Sequence, residues 1–87
     1  MKETLLIIKE MKKNCEIKEI KRIELKNVEE QSIFQSKYEV EISIRENNKN
    51  ISYYFKDYEI FLITENDLIN RNLLHIILRK KENENKN

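Results

Sequence analysis

The chain has 87 residues, 17 of them basic and 16 acidic, with no glycine, no proline and one cysteine. Its length supports one small domain with one core, and its net charge of +1 lacks the electrostatic footprint of a general nucleic-acid binder. The lone cysteine excludes an internal disulfide and favours a reducing compartment. The longest apolar run is too short for a bilayer span or a signal peptide. We therefore expect a cytoplasmic protein without a membrane partner.

Residues 2–14 are predicted to form a helix. Leu5, Ile8, Met11 and Cys15 recur every three to four residues, which is typical of the buried face of a helix. Cys15 is expected to fill space at the end of this helix rather than to react.

Residues 15–27 are predicted to form a strand. Their isoleucines also fit a helical spacing, but a solvated helix should carry acid-to-base pairs four residues apart, and Lys18 instead faces Arg22. Ile20 then points to the wrong face, which suits a bulge or a covered edge. Residues 28–36 have no period and are read as a connection, with Ile33 and Phe34 turned onto the core.

Residues 37–64 are expected to form the hairpin on which the rest of the protein packs. Apolar and polar residues alternate from residue 37 to residue 45, as in a half-buried antiparallel strand, and the polar residues 46–50 follow. In the second half the parity of the apolar positions changes at Lys56 and Asp57. Either these two residues form a tight turn between two strands, or one long strand carries a bulge there, and the bulge is slightly favoured.

A C-terminal helix is predicted to start within residues 64–67 and to end at Lys81. Thr64 or Asn66 would cap it, the acids would lie in its first turn, and apolar residues would line one face. The segment 82–87 is too polar to pack and is expected to be disordered.

These elements predict an α+β fold: a single domain over residues 1–81, in the order α-β-β-β-α. An antiparallel sheet of three to four strands would have both helices packed on one face.

The sequence shows no catalytic signature. His75 and Cys15 could form a base–nucleophile pair, but no third group to orient them is evident, so we expect no enzyme activity. One histidine and one cysteine cannot complete a structural zinc site without carboxylates, and a phosphate loop needs glycine. No metal or cofactor is therefore expected.

The aromatic run Tyr53–Tyr54–Phe55 is the most suggestive feature. If Tyr53 and Phe55 face the core, Tyr54 faces outward beside acids and can anchor a protein partner. The candidate partner-binding residues are Glu39, Glu41, Asn48, Tyr54, Asp57, Tyr58, Glu59, Glu65 and Asp67.

The order helix, three strands, helix resembles that of the double-stranded-RNA-binding domain. That family has a glycine-rich hairpin and a basic pair opening its last helix, whereas this chain has no glycine and has Glu65, Asn66 and Asp67 at that place. In size, lack of glycine and charge density the chain also resembles phage-borne inhibitors of host defence, including anti-CRISPR proteins. No family is assigned from either resemblance.

The resulting hypothesis is a non-enzymatic phage or mobile-element inhibitor of a host defence nuclease that acts by protein–protein contact. The alternative is a small nucleic-acid-binding protein that uses the basic residues near its two ends, and homodimerisation through a strand edge is also open. These basic residues are Lys12, Lys13, Arg79, Lys80 and Lys81.

Overall fold

The computed structural model describes residues 3–81, which form seven strands in two sheets and no helix. The predicted α+β class is therefore wrong, and the described chain contains no helix that could cross a bilayer. Residues 82–87, predicted to be disordered, lie outside the described part. The strands are β1 (Glu3–Met11), β2 (Ile17–Leu25), β3 (Val28–Gln35), β4 (Glu39–Glu46), β5 (Lys49–Lys56), β6 (Tyr58–Asp67) and β7 (Arg71–Lys80).

Sheet A has the strand order β2-β1-β7-β6. Its two central strands, β1 and β7, come from opposite ends of the chain and pair in parallel, with Leu5 opposite Leu73 and Ile7 opposite His75. The edge strands β2 and β6 pair with them in antiparallel fashion. The predicted strand over residues 15–27 is confirmed as β2, and Ile20 is the extra residue of a bulge between Ile8 and Lys9 of the partner strand.

The predicted N-terminal helix is instead the central strand β1. Residues 4–8 are all buried, and because successive strand residues point to opposite faces, both faces of β1 are covered. A strand buried on both faces is a continuous apolar run, and such a run also contains the three-to-four spacing of a helix. Isoleucine, which is stiff at χ1 and packs well in sheets, favours the strand.

The predicted C-terminal helix is also wrong, for the same reason. Residues 64–67, read as its start, are the end of β6, and residues 71–80 form β7. Leu74, Ile76 and Leu78 are buried between the sheets, while the residues between them lie on the opposite face of sheet A. The apolar residues of β7 therefore lie on both faces of a central strand.

Sheet B is an antiparallel meander of β3, β4 and β5. The hairpin predicted over residues 37–64 is confirmed as far as Lys56, by β4 and β5, whereas residues 58–64 belong to β6 in sheet A. β4 and β5 are joined at Asn47 and Asn48, with φ of 51° and 62°. Positive φ at both central residues defines the type I′ turn that matches the twist of paired strands. In a chain without glycine, asparagine takes these positions because it tolerates the left-handed region better than most residues.

Residues 28–36, predicted to be a connection, contain the edge strand β3. Ile33 packs against the core as expected, but Phe34 is 62% exposed, so its predicted burial is wrong. The residues of β3 before Ile33 are mostly polar and exposed, so the alternation that reveals a half-buried strand is weak here. Sheet pairing with β4, rather than local pattern, defines this strand.

The chain passes from sheet B to sheet A at Asp57. This residue has a φ of 67°; its N–H donates to the carbonyl of Tyr38 (2.7 Å), and its carbonyl accepts from the N–H of Lys81 (2.8 Å). β5 and β6 lie in different sheets. β5 and β6 are therefore two strands that meet in a turn at Asp57, so the favoured bulge in one long strand is wrong and the alternative of two strands is confirmed. The two strands do not pair as a hairpin, because this turn is a corner between the two sheets.

The core lies between the two sheets. Leu6, Ile8, Leu74, Ile76 and Leu78 contribute from sheet A, together with Leu25 of β2, and Val40, Ile42 and Ile44 contribute from β4. Full burial of such a side chain stabilises the fold by roughly 1.5–3 kcal/mol. The face of sheet B that points away from this core carries polar and aromatic side chains and forms the candidate site.

Candidate protein-binding surface

Three of the predicted binding residues, Glu39, Glu41 and Tyr54, lie together on the outer face of sheet B. Glu41 of β4 is paired with Tyr54 of β5 on one side and with Phe34 of β3 on the other. We call this cross-strand set the Phe34–Glu41–Tyr54 row. Adjacent strands lie about 4.8 Å apart, so the two aromatic residues are separated by about 10 Å across the carboxylate.

The two rings of the row are available for contact. Phe34 is 62% exposed and Tyr54 is 58% exposed. The orientation of Tyr54 follows from the alternation of β5, because its neighbours Tyr53 and Phe55 pack against the core. This part of the sequence-based prediction is confirmed.

Glu41 is held in place by hydroxyl groups and not by a cation. Its Oε2 accepts a hydrogen bond from Ser43 Oγ at 3.0 Å and a longer one from Tyr54 Oη at 3.5 Å. Among residues 3–81 it forms no ion pair. The carboxylate is therefore half-buried, oriented and still able to accept a cation from outside.

Glu39 and Arg45, the other charged residues of β4 on this face, each have a group of opposite charge opposite or beside them. Glu39 lies opposite Lys56, and Arg45 lies opposite Glu30 and 3.5 Å from the carboxylate of Glu29. Glu41 differs from them because its neighbours on both strands are aromatic.

Phe34 was missed as a surface residue by sequence reasoning. The signal that could have found it is the burial of Ile33, since in a strand the next residue must face the opposite way. That inference requires β3 to be recognised as a strand first.

The remaining predicted residues near the sheet corner have structural contacts. Asp57 forms the corner itself. Tyr58 is half-buried, and its ring meets that of Phe55 edge to face at 6.3 Å; burial raises the pKa of Tyr58, and the carboxylate of Glu10 adds to this rise. Glu59 accepts two hydrogen bonds from Arg79, the shorter at 2.7 Å. Charge reversal of Asp57 and Glu59 would thus disturb the corner and this ion pair as well as any binding.

Asn48, Glu65 and Asp67 lie away from the row. The N–H of Asn48 donates to Glu29 Oε1 at 3.0 Å, so Asn48 belongs to the β4–β5 turn. Glu65 and Asp67 line one side of a cleft of about 730 Å³, and the β3 acids Glu29 and Glu30 line its other side. The structure therefore does not bring all nine predicted residues into one surface.

The cleft is acidic and open. Asn72 donates from Nδ2 to Glu65 Oε2 at 2.8 Å, and its Oδ1 is buried without a hydrogen bond. Among residues 3–81 no group of three histidine, cysteine or carboxylate side chains could hold a metal ion. Four carboxylates on the two walls repel phosphate, which disfavours this end of the molecule as a nucleic-acid site.

Cys15 and His75 are not brought together. Cys15 is exposed in the turn after β1, with a φ of 69°, so the prediction that it fills space at a helix end is wrong. His75 lies in the middle of β7 opposite Ile7, roughly 13 Å along the strand from the last residue of β1. Burial, with Lys9 and Arg22 nearby, lowers the pKa of His75.

The basic residues of the alternative hypothesis do meet at one end of sheet A. Met11 of β1 is in register with Arg79 of β7, so the lysines that follow each strand extend from the same edge of the sheet. Arg79 is engaged by Glu59 and lies over the Phe61 ring at 5.3 Å. Lys81 donates its Nζ to the carbonyl of Lys37.

Comparison of the chain with protein-family models, with curated proteins and with solved structures gave no match.

Proposed function

We propose that the chain is a non-enzymatic binding protein that holds a basic surface of a protein partner against the outer face of sheet B. The Phe34–Glu41–Tyr54 row carries this proposal, because it places two exposed rings on either side of an oriented carboxylate. Among residues 3–81 this carboxylate forms no ion pair. Tyrosine is enriched among the residues that dominate binding energy.

An arginine side chain of the partner fits this row best. Its guanidinium can donate to Glu41 while its flat faces pack on an aromatic ring. A cation over a ring contributes about 0.5–1 kcal/mol at an exposed site, and a hydrogen bond to a charged group contributes about 1.5–3 kcal/mol. Lysine would gain the charge interaction but not the planar contact.

Nucleic-acid-binding surfaces of nucleases are a class of basic protein surface. A small acidic and aromatic face that covers such a surface would block it, which is the action proposed for an inhibitor of a host defence nuclease. The lone, exposed Cys15 is compatible with a reducing compartment such as the cytoplasm, where that partner would be met.

Affinity capture from the native host tests the proposal. The protein and a Phe34→Ser/Tyr54→Ser double variant are immobilised at equal density, and the retained proteins are identified. We expect at least one protein to be retained by the native sequence and lost by the double variant. A loss of only about 1.4 kcal/mol of binding free energy makes binding about tenfold weaker, so removal of both rings should be enough to abolish retention.

The matched control is Tyr38→Ser, which removes another exposed tyrosine, 66% accessible, outside the row. Thermal unfolding of all variants establishes that they are folded. If the double variant retains the same proteins as the native sequence, this face is not the binding surface.

The Glu41→Gln variant tests the contribution of the carboxylate charge to binding while both aromatic rings are kept. The partner's affinity for the native protein should fall as salt concentration rises, and the variant should bind more weakly with a smaller salt dependence. An unchanged salt dependence would mean that Glu41 does not meet a cation.

Binding of nucleic acid is a second candidate, favoured by the meeting of the basic chain segments at one end of sheet A. Lys12 and Lys13 follow β1 there, Lys80 is the last residue of β7, and Lys81 follows it. Retention of DNA or RNA at low salt, reduced by a Lys12→Glu/Lys13→Glu variant and lost steeply as salt rises, would support it. No retention at low salt would eliminate it.

A further inference from the structure

The edge strand β6 leaves an apolar segment uncovered. Within residues 3–81 it pairs with β7 on one side only, and residues 61–67 are exposed throughout. Phe61, Leu62 and Ile63 are 46%, 46% and 41% exposed. A bulge at Phe61 interrupts the ladder, so residues 62–66 form a regular edge with backbone groups available for a further strand.

The opposite edge of sheet A, β2, has a complementary composition. Ile17 and Ile20 are 49% and 41% exposed, and Lys18, Lys21 and Arg22 lie on the same strand. The segment 62–67 of β6 carries two acids and no base, whereas β2 carries three bases and two acids, one of which is held by Arg22 at 2.8 Å.

We propose that sheet A continues from one copy of the chain to the next, with β6 of one copy beside β2 of another. Both strands are antiparallel to their inner neighbours, which are parallel to each other, so β6 and β2 run in the same direction and pair in parallel. Glu65 lies opposite the core residue Leu74, and Lys21 lies opposite the core residue Ile8. In a continued sheet these two charges share one face and attract each other.

Pairing of β6 with itself fits the sequence less well. Its apolar residues Leu62 and Ile63 come before its acids Glu65 and Asp67, so an antiparallel copy that pairs most of this segment sets apolar side chains against acids or acids against acids. Like charges directly opposite each other destabilise a strand pair.

The proposed contact joins two different surfaces, so it does not close after two copies. Such head-to-tail contacts generate rings when the rotation closes and open chains when it does not. The average mass should therefore rise beyond that of a dimer with increasing concentration. This association does not use the Phe34–Glu41–Tyr54 row and is independent of the proposed function.

Sedimentation velocity over a concentration series tests the proposal. The native chain should form species larger than a dimer, and Glu65→Lys and Lys21→Glu should each remain monomeric. Mixing the two variants should restore the large species, because the altered β6 of one variant matches the altered β2 of the other. Glu30→Lys, an equal charge reversal on the exposed strand β3 of sheet B, is the control and should associate as the native chain does.

Ile63→Lys gives an independent test, because an inward-pointing lysine blocks edge pairing. It leaves the Asn72–Glu65 hydrogen bond untouched, and also the contact of Lys21, whose Nζ lies 5.2 Å from the centroid of the Tyr53 ring. It too should be monomeric, with its fold checked by thermal unfolding. A native chain that stays monomeric at every concentration overturns the proposal. So does a discrete dimer that Lys21→Glu does not affect, since that result indicates pairing of β6 with β6.

Discussion

Four residues of the described chain have positive φ, at three of the connections between its strands, and none is glycine. Asn47, Asn48 and Asp57 belong to the residue types that tolerate this region, with φ of 51°, 62° and 67°, but Cys15, at 69°, does not. The left-handed region costs an ordinary residue roughly 1–2 kcal/mol. At Cys15 the turn is closed by its own N–H, which donates to the carbonyl of Lys12 at 2.8 Å.

His75 is the residue whose charge should couple stability to pH. Its Nε2 is buried without a hydrogen bond, and burial lowers its pKa in the folded chain, with Lys9 and Arg22 adding to the effect and Glu19 opposing it. The unfolded chain then binds a proton at a higher pH than the folded chain does. Stability should therefore be retained above about pH 6.5 and should fall as the pH drops through the lowered pKa.

Denaturant unfolding of the native chain and of His75→Leu, at about pH 8 and about pH 5, measures the contribution of His75 to the pH dependence of the free energy of unfolding. The variant should lose less stability between the two conditions, because the carboxylates common to both proteins contribute equally. His75→Gln is a polar control that also cannot titrate in this range. Equal losses in all three proteins would show that His75 does not carry the pH dependence.

At the scale of elements, the two apolar runs of the sequence are the central strands of sheet A. Ile76 of β7 is fully buried, whereas its cross-strand neighbour Ile63 of β6 is 41% exposed. The two residues are chemically identical and lie on the same face, so burial is the main difference between them.

Ile76→Ala should lower the free energy of unfolding by about 2–5 kcal/mol, since it leaves a cavity. Ile63→Ala should cost clearly less, about 1 kcal/mol, because much of its side chain is already in water. Urea unfolding at dilute protein concentration, where association does not contribute, provides the measurement. Similar costs at both sites would contradict the position of β7 at the centre of the sheet.

β3 and β6 show how far the position of a strand depends on its pairing with a neighbouring strand. β3 has few apolar residues and β6 is exposed over residues 61–67, and neither has the alternation that marks a half-buried strand. The burial of Ile33 and the exposure of Phe34 follow from the pairing of β3 with β4. The Phe34–Glu41–Tyr54 row exists only because three strands lie in that register.

For the whole molecule, the pairing of the first strand with the last governs assembly of sheet A. The β4–β5 hairpin closes through a two-residue turn, whereas β1 and β7 meet only after the intervening residues 12–70 have been brought into place. Closing a long loop costs more chain entropy than closing a short one. We therefore expect the hairpin to form before the parallel pair.

Matched Ile→Val variants at two buried positions test this order. Ile42 in β4 is 1% exposed and Ile8 in β1 is 0% exposed, so each change should cost about 0.5–1.5 kcal/mol. Stopped-flow kinetics should show mainly slower folding for Ile42→Val and mainly faster unfolding for Ile8→Val. The reverse pattern would indicate that the parallel pair of β1 and β7 forms first.

Three features could be predicted from the sequence alone: the β4–β5 hairpin, the β2 strand with an irregular position at Ile20, and the outward direction of Tyr54. Each follows from side chains that alternate with a period of two, a signal contained within a few neighbouring residues. The sequence could not determine β1 and β7, because a continuous apolar run satisfies a helix and a doubly buried strand equally well.

The choice between a helix and a doubly buried strand depends on contacts between distant parts of the chain. β1 and β7 pair with each other, so each supplies a neighbour that makes the other a central strand. The tertiary structure also decided that Asp57 is a corner between sheets, because a change of parity does not reveal which sheet the next strand joins. The candidate site depends on the same information. Glu41 and Tyr54 could be named from the chain, but Phe34 joins them only through the pairing of β3 with β4.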